Sequence, residues 1–345
     1  MDAAVEASTM RKIYVRLLPF AMLCYILAYV DRINSTFAAL TMRADLHMSA
    51  ADYGFAVGTF YWAYFLFEVP SNIILEKVGA RIWIARIMIT WGLFATATAF
   101  VTGTTSFAIV RFLLGMGEAG FFPGLILYFT YWFPARHHAR IVSGFLVGLP
   151  IAVAAGGPIS TGLMSLDGLF GYKGWQIMYF AEGFPTIVLG ILCYFLMTDR
   201  PEQARFLTQE EKSWLTARIA SERKAKEQVK VYSMFESMWN PRVLLLGLNY
   251  FGIVTASLGM LFFIPQIIKS LGTFTNMQVG WLTMIPYICG GIALVVWGRI
   301  SDRMHERRWN LLIACVLSTG GLVMAGLTMG TWWALVGMSP PFPWQ

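Results

Sequence analysis

The sequence predicts an all-α polytopic membrane protein built as two six-helix halves, the second incomplete in this chain. Three observations predict it. Of 345 residues, 57% are hydrophobic and only 13% charged, and the mean hydropathy is +0.60; a soluble domain is usually about 25% charged. Apolar segments of roughly 20 residues recur, each long enough to cross a hydrocarbon core of about 30 Å. One polar, charged stretch, residues 198–241, interrupts the series after the sixth segment.

The elements follow in order. Residues 1–16 carry charges but no short apolar core with a cleavage site, so they read as a cytoplasmic N-terminus rather than a signal peptide. Spans are expected at 17–40, 51–75, 82–102, 106–131, 139–163 and 175–197, which makes 17–197 an N-terminal six-helix bundle. Residues 198–242 form a cytoplasmic central loop. In it, Thr208 followed by Glu211 is a capping box that starts a short surface helix. Residues 243–345 hold a partial C-terminal bundle: spans 243–270, 277–299 and 309–329, helices 7–9, and the start of a tenth near Trp332.

The net charge of +7 is a topology signal rather than a sign of nucleic-acid binding. With the N-terminus cytoplasmic, 21 of the 26 Lys and Arg fall inside and three, Arg43, Lys173 and Lys269, outside. The positive-inside rule therefore orients the chain. A repeat supports the division into halves. The turn "NIILEKVGAR" after the second span matches "WGRISDRMHERR" after the eighth, and aligning Glu76 with Asp302 gives an offset of 226 residues. The same offset carries the first span onto the seventh, as in parallel-repeat transporters. It also places helices 10–12 at about 332–423. The chain instead ends in the Pro-rich "SPPFPWQ", which cannot continue a helix. A truncated, frameshifted or fragmentary product is expected.

The four cysteines, Cys24, Cys193, Cys289 and Cys315, lie in apolar spans without a CxxC or a nearby His. They read as small packing residues and not as metal ligands or a disulfide framework. His137 and His138, in "ARHHAR", read as interfacial. No HExxH, GxSxG or paired-His spacing is present, which argues against an enzyme.

Charges inside the spans carry the functional signal. An ionised side chain at the centre of a lipid-facing helix costs about 2.5–3.5 kcal/mol on insertion scales. Yet Asp31 and Arg32 sit in the first span, and Arg111 and Glu118 in the fourth, in "RFLLGMGEAGFFPG". Arg111 and Glu118 are two turns apart on one face, about 10 Å along the axis. Tyr25, Tyr29, Arg32 and Thr36 follow an i, i+4, i+7, i+11 pattern that gives the first helix a polar, aromatic face. Two cations and two carboxylates at similar depth imply an enclosed polar cavity. The bland alternative is two ion pairs that glue helices together. Gly115, Gly117, Ala119 and Gly120 weigh against it, because small residues let helices approach and slide. Pro123 just beyond them suits a bend. Glu68 and Glu182, nearer the membrane faces, read as solvated or structural.

These residues resemble the major facilitator superfamily and, within it, the anion:cation symporter group. The resemblance rests on "YVDRIN", the two cytoplasmic turns, "RFLLGMGEAGFFPG", "YWFPARHHAR", "DRPEQARFLTQEEKSWL" and "PQIIKSLG", and spans residues 10 to 338. It implies a superfamily fold and a proton-coupled symporter that imports a small organic anion, such as a sugar acid, tartrate or an aromatic carboxylate, by alternating access. Residue by residue, it implies that Arg32 holds the substrate carboxylate, that Tyr29 and Tyr64 line the cavity, and that Arg111 tunes Glu118 beside it. Asp31 and Glu118 would be the proton-coupling carboxylates, binding and releasing protons as access alternates. Glu76, Lys77, Arg81, Asp302 and Arg303 would form the cytoplasmic gate, Glu76 meeting the eleventh helix and Asp302 the start of the fifth near Arg140. The expected partners are the anion, a proton and the lipid bilayer of the cell inner membrane, for a multi-pass monomer. No cofactor, metal or nucleic acid is expected. The alternative reading is a non-transporting fragment, or a sensor with a degenerate transporter fold.

Overall fold

The computed structural model describes residues 2–227, 239–304, 307–328 and 331–337, and all regular structure among them is helical. Helix α1 runs Asp2–Asp45, 44 residues without a break, so the segment before residue 17 is also helical. It folds because it has a face to bury. Met10, Ile13 and Leu17 are buried at i, i+3, i+7, while Arg11, Lys12, Val15 and Arg16 are exposed.

Helix α2, Ala50–Val78, opens on a capping box: Asp52 N donates to Ser49 Oγ at 3.1 Å, and Ser49 N to Asp52 Oδ2 at 3.0 Å. Helix α3 is Ala80–Ala97, followed by a 3₁₀ turn at Thr98–Phe100. The fourth expected span is two helices, α4 (Thr104–Glu118) and α5 (Phe121–Trp132). The bend expected from Pro123 lies at Gly120 instead, where φ is +88°. Only glycine adopts that conformation readily, and a Cβ there would run into the Ser71 side chain. Pro123 sits inside the first turn of α5, where its missing N–H has no intrahelical partner to lose.

The fifth span is likewise α6 (Ala135–Leu146) and α7 (Gly148–Met164), and the sixth is α8 (Gly174–Leu196). The capping box at Thr208 is formed: Thr208 N donates to Glu211 Oε2 at 2.9 Å and Glu211 N to Thr208 Oγ1 at 3.3 Å, opening α9 at Gln209–Glu227. Helices α10 (Pro241–Ser270), α11 (Asn276–Met304), α12 (Arg307–Leu327) and α13 (Trp332–Gly337) complete the described chain.

Five described segments are long and apolar enough to cross a membrane: Ala4–Asp45, Ala80–Phe100, Thr104–Trp132, Ala135–Met164 and Gly174–Leu196. Helix α2 falls short of that apolarity because it carries Asp52, Glu68, Asn72 and three tyrosines, Tyr53, Tyr61 and Tyr64.

The chain packs as two compact units. The first comprises Met1–Asp31, Arg43–Leu149 and Tyr179–Val231. Its core is aromatic, with Trp91, Tyr128, Phe129, Trp132, Phe133 and Phe145 fully buried. Helix α2 lies so close to α4 that a Cβ on Gly115 would fall on the Phe60 carbonyl, and Thr59 Oγ1 donates across to Ala108 O at 3.0 Å. At the end that holds the N-terminus, α9 is pinned to α1. Lys12 Nζ donates to both oxygens of Glu211, at 2.8 and 2.9 Å, and Ser8 Oγ to Oε1 at 2.8 Å. Burial works against ionising the Glu211 carboxyl, but the hydrogen bonds from Lys12, Thr208 N and Ser8 outweigh it and hold the group below its ordinary value. Glu6 meets Arg136 and His137, and Glu222 accepts from Ala135 N at 2.8 Å, capping α6.

The second unit comprises Arg32–Met42, Pro150–Met178 and Tyr232–Gln345. Ile264, Ile268, Val279, Ala325 and Ala334 form its small core, with Leu40 and Tyr287 against it. Lys269 donates to Phe274 O, and to Asn276 Oδ1 at 3.2 Å, closing the turn between α10 and α11.

Candidate functional site

Of the four charges of the first and fourth spans, three come together in the first unit. Asp31, Arg111 and Glu118 are each only 2% exposed, and both Arg111 and Glu118 act electrostatically on Asp31. Arg111 also sits over the Phe107 ring, 5.4 Å from its centroid. Glu118 is the last residue of α4, one residue before the Ala119–Gly120 break. Arg32 follows Asp31 in the chain, is half-buried, and packs with the second unit.

Two residues that the sequence did not single out hold Asp31. Trp91 Nε1 on α3 donates to Asp31 Oδ2 at 2.8 Å, and Thr186 Oγ1 on α8 donates to the same oxygen at 2.9 Å. Close packing of α3 on α8 makes this convergence possible, since a Cβ on Gly183 would lie 2.7 Å from Thr96 N. Trp91 and Thr186 are both fully buried. No described residue donates to Asp31 Oδ1. Asn34, completely buried, likewise has no hydrogen-bond partner for its amide among the described residues.

The polar face of the first helix is less uniform than the spacing predicts. Tyr25 is a core residue, its ring 4.3 Å from that of Phe145 and 5.9 Å from that of Phe122. Thr36 is buried and donates to Ile33 O at 2.5 Å on its own helix. Tyr29 and Tyr64 are half-buried; Tyr29 packs edge-on against Tyr25 at 4.9 Å and Tyr64 lies 5.8 Å from Phe60. Glu182 is buried, at 5% exposed; Glu68 is half-buried.

In the last turn of α2, Glu76 and Lys77 are exposed. Arg81 is engaged, and its partner is Asp199, another residue the sequence did not single out. Arg81 N donates to Asp199 Oδ1 at 2.8 Å, and Arg81 Nε lies 3.7 Å from Oδ2. Asp199 thereby caps the N-terminus of α3 from the far end of α8. Gly79, at φ +100°, supplies the turn. Asp302 and Arg303 lie in the last turn of α11, and their side chains are outside the described residues.

The model of the Major Facilitator Superfamily matches residues 21–340. The chain belongs to this superfamily. It is 45% identical over 335 residues to an Agrobacterium vitis protein named "Putative tartrate transporter", covering 97% of this chain and 74% of that protein. It is 41% identical over 319 residues to the Pseudomonas putida metabolite transport protein NicT, covering 92% and 72%. It is 37% identical over 330 residues to the inner membrane transport protein RhmT of Escherichia coli, covering 95% and 76%. In fold it is similar to a bacterial homolog of the human lysosomal transporter Spinster in an inward-facing, occupied conformation, with a TM-score of 0.73 at 16% identity, over 95% of this chain and 71% of that one. A D-xylose–proton symporter gives 0.66 at 15% identity, over 94% and 78%. As a Major Facilitator Superfamily protein the chain is membrane-embedded and all-helical, and belongs to a transporter family rather than an enzyme family.

Proposed function

We propose that this superfamily member is a proton-coupled symporter that imports a small organic anion by alternating access. The substrate class is a sugar acid, tartrate or an aromatic carboxylate; the name of its Agrobacterium vitis relative supports tartrate. The observation that carries the coupling is the burial of two carboxylates with one guanidinium, Asp31, Glu118 and Arg111. Carboxyl groups withdrawn from water can exchange a proton when access changes, and each proton taken up cancels one charge that would otherwise cross the bilayer. Arg32 is the cation for the substrate carboxylate, because a guanidinium pairs with it bidentately. Tyr29 and Tyr64 line the same path, and Arg111 sets the field at Glu118. Glu76, Lys77, Arg81, Asp302 and Arg303 act at the cytoplasmic gate between a six-helix half at 17–197 and the helices from 243 onward. The chain works as a monomer in the inner membrane with its N-terminus cytoplasmic.

Uptake of labelled tartrate and galactonate into proteoliposomes, with and without an inward proton gradient, tests the reading. Accumulation above equilibrium only with the gradient is the expected result. Uptake that merely equilibrates would leave a uniporter, and no uptake of any organic anion would remove the transport reading.

A further inference from the structure

The two oxygens of Asp31 are treated differently by the protein. Oδ2 accepts hydrogen bonds from Trp91 Nε1 at 2.8 Å and Thr186 Oγ1 at 2.9 Å. Oδ1 is buried and receives no donor from the described residues. Other charged or titratable groups are close. Arg111 and Glu118 act on Asp31 from α4. Glu182 lies one turn before Thr186 on the same face of α8, and Arg32 is the next residue along α1.

A carboxylate spreads its charge over both oxygens, and an anionic oxygen buried without a donor is expensive, costing more than the roughly 1–3 kcal/mol of a neutral orphan. Protonation lowers this cost if the proton sits on Oδ1, exchanging a charged orphan for a neutral O–H without an acceptor among the described residues. The single negative charge is then cancelled, and Oδ2 becomes the carbonyl oxygen, the better acceptor, with both of its lone pairs used. A proton on Oδ2 would break one of two good hydrogen bonds and leave the charge density on the oxygen that has none. Both donors are neutral, so neither competes for the proton. Trp91 and Thr186 come from different helices, which fixes the plane of the carboxyl group as well as its position.

We infer that Trp91 and Thr186 are positioning residues that clamp Oδ2 of Asp31 and make Oδ1 the single atom at which a proton is loaded and released. The inference rests on the symport reading for its purpose but not for its chemistry. Asp31 takes up one proton from water at Oδ1 and returns it there. The clamp stays closed through the exchange.

Infrared difference spectroscopy of the purified chain in lipid bilayers, titrated across pH, reads this directly. A carboxylic-acid C=O band that disappears in Asp31→Asn is expected. In Thr186→Val, nearly isosteric but lacking the hydroxyl, that band moves to higher frequency, because one hydrogen bond to the carbonyl oxygen is lost. Thr186→Ser, which keeps the donor, returns the band to its wild-type position. A variant that merely loosened packing would broaden the band without this rescue. A band that Asp31→Asn leaves in place, or one unmoved by Thr186→Val, overturns the assignment. If the band behaves as expected while uptake ignores a proton gradient, the symport reading fails and the assignment of the proton to Oδ1 stands.

Discussion

Asp31 and Asp199 are both held by two hydrogen-bonding or charged groups, yet they sit in opposite kinds of environment. Asp199 closes the turn between α2 and α3 with its side chain 23% exposed, taking a backbone N–H from Arg81 and lying beside its guanidinium at a helix N-terminus. Its partners there are a guanidinium and the positive end of a helix dipole. Asp31 is 2% exposed, and its two hydrogen bonds come from an indole and a hydroxyl. Arg111 acts on it electrostatically from α4. One aspartate closes a turn beside a cation at the surface; the other, which we propose as the proton carrier, is buried and held by two neutral donors.

The sharpest way to break this comparison is to neutralise each aspartate. Asp31→Asn should abolish gradient-driven accumulation while substrate exchange persists, and Glu118→Gln should do the same; Asp199→Asn should leave accumulation in place. Proteoliposome uptake and counterflow measure both, and equal losses for Asp31→Asn and Asp199→Asn would erase the distinction. Next in size is Arg32→Lys, which keeps the charge but not the bidentate fork. Uptake at low substrate concentration should fall by at least about tenfold, equivalent to ~1.4 kcal/mol. Near-normal uptake would remove Arg32 from the site.

Stability sharpens the other side. Asp199→Ala removes a cap and an ion pair and should cost about 1–2 kcal/mol, read as a lower Tm in detergent; Thr186→Val should not match it, since its effect is on the proton. A smaller effect is expected at Glu211. Its carboxyl sits below its ordinary value in the folded chain, so its contribution is complete above the unfolded value of 4.5 and disappears as pH falls through the lower, folded value. Tm should therefore drop on acidification below about pH 4.5 in the wild type, and less in Glu211→Gln. The smallest effect belongs to the exposed Glu76. Glu76→Gln should change stability by less than about 0.5 kcal/mol, and Asp302→Asn by more; an equal or reversed order in a melting experiment would count against pairing Asp302 with the fifth helix.

The helices are legible because an apolar run of membrane length fits little besides a spanning helix: each expected span falls largely on described helix, the fourth and fifth on two helices apiece, and five described segments are long and apolar enough to cross a membrane. The buried charges are legible for the converse reason, a charge in such a run being conspicuous. What surrounds them is not. Thr186 is one of several threonines in the spans, and nothing in "FPTIV" marks it as a donor to a residue 155 positions away. Asp199 stands in "TDRPEQ" with nothing beside it to reveal a partner 118 positions earlier. Pro123 masks Gly120, since proline announces a break in sequence whereas a glycine's positive φ emerges only in the fold. Tyr25 keeps the spacing of a polar face and is nevertheless core, because helical periodicity assigns a side, not what lies against it.

Helix α1 is also long. Its 44 residues span about 66 Å, roughly twice the hydrocarbon thickness. Asp31 and Lys12 are 19 residues apart along it, about 28 Å. Tilting such an arm by about five degrees around Asp31 would move Lys12 by about 2 Å. The contact of Lys12 with Glu211, at 2.8 Å, would be stretched by a rigid movement of that size unless the flexible lysine stem followed it.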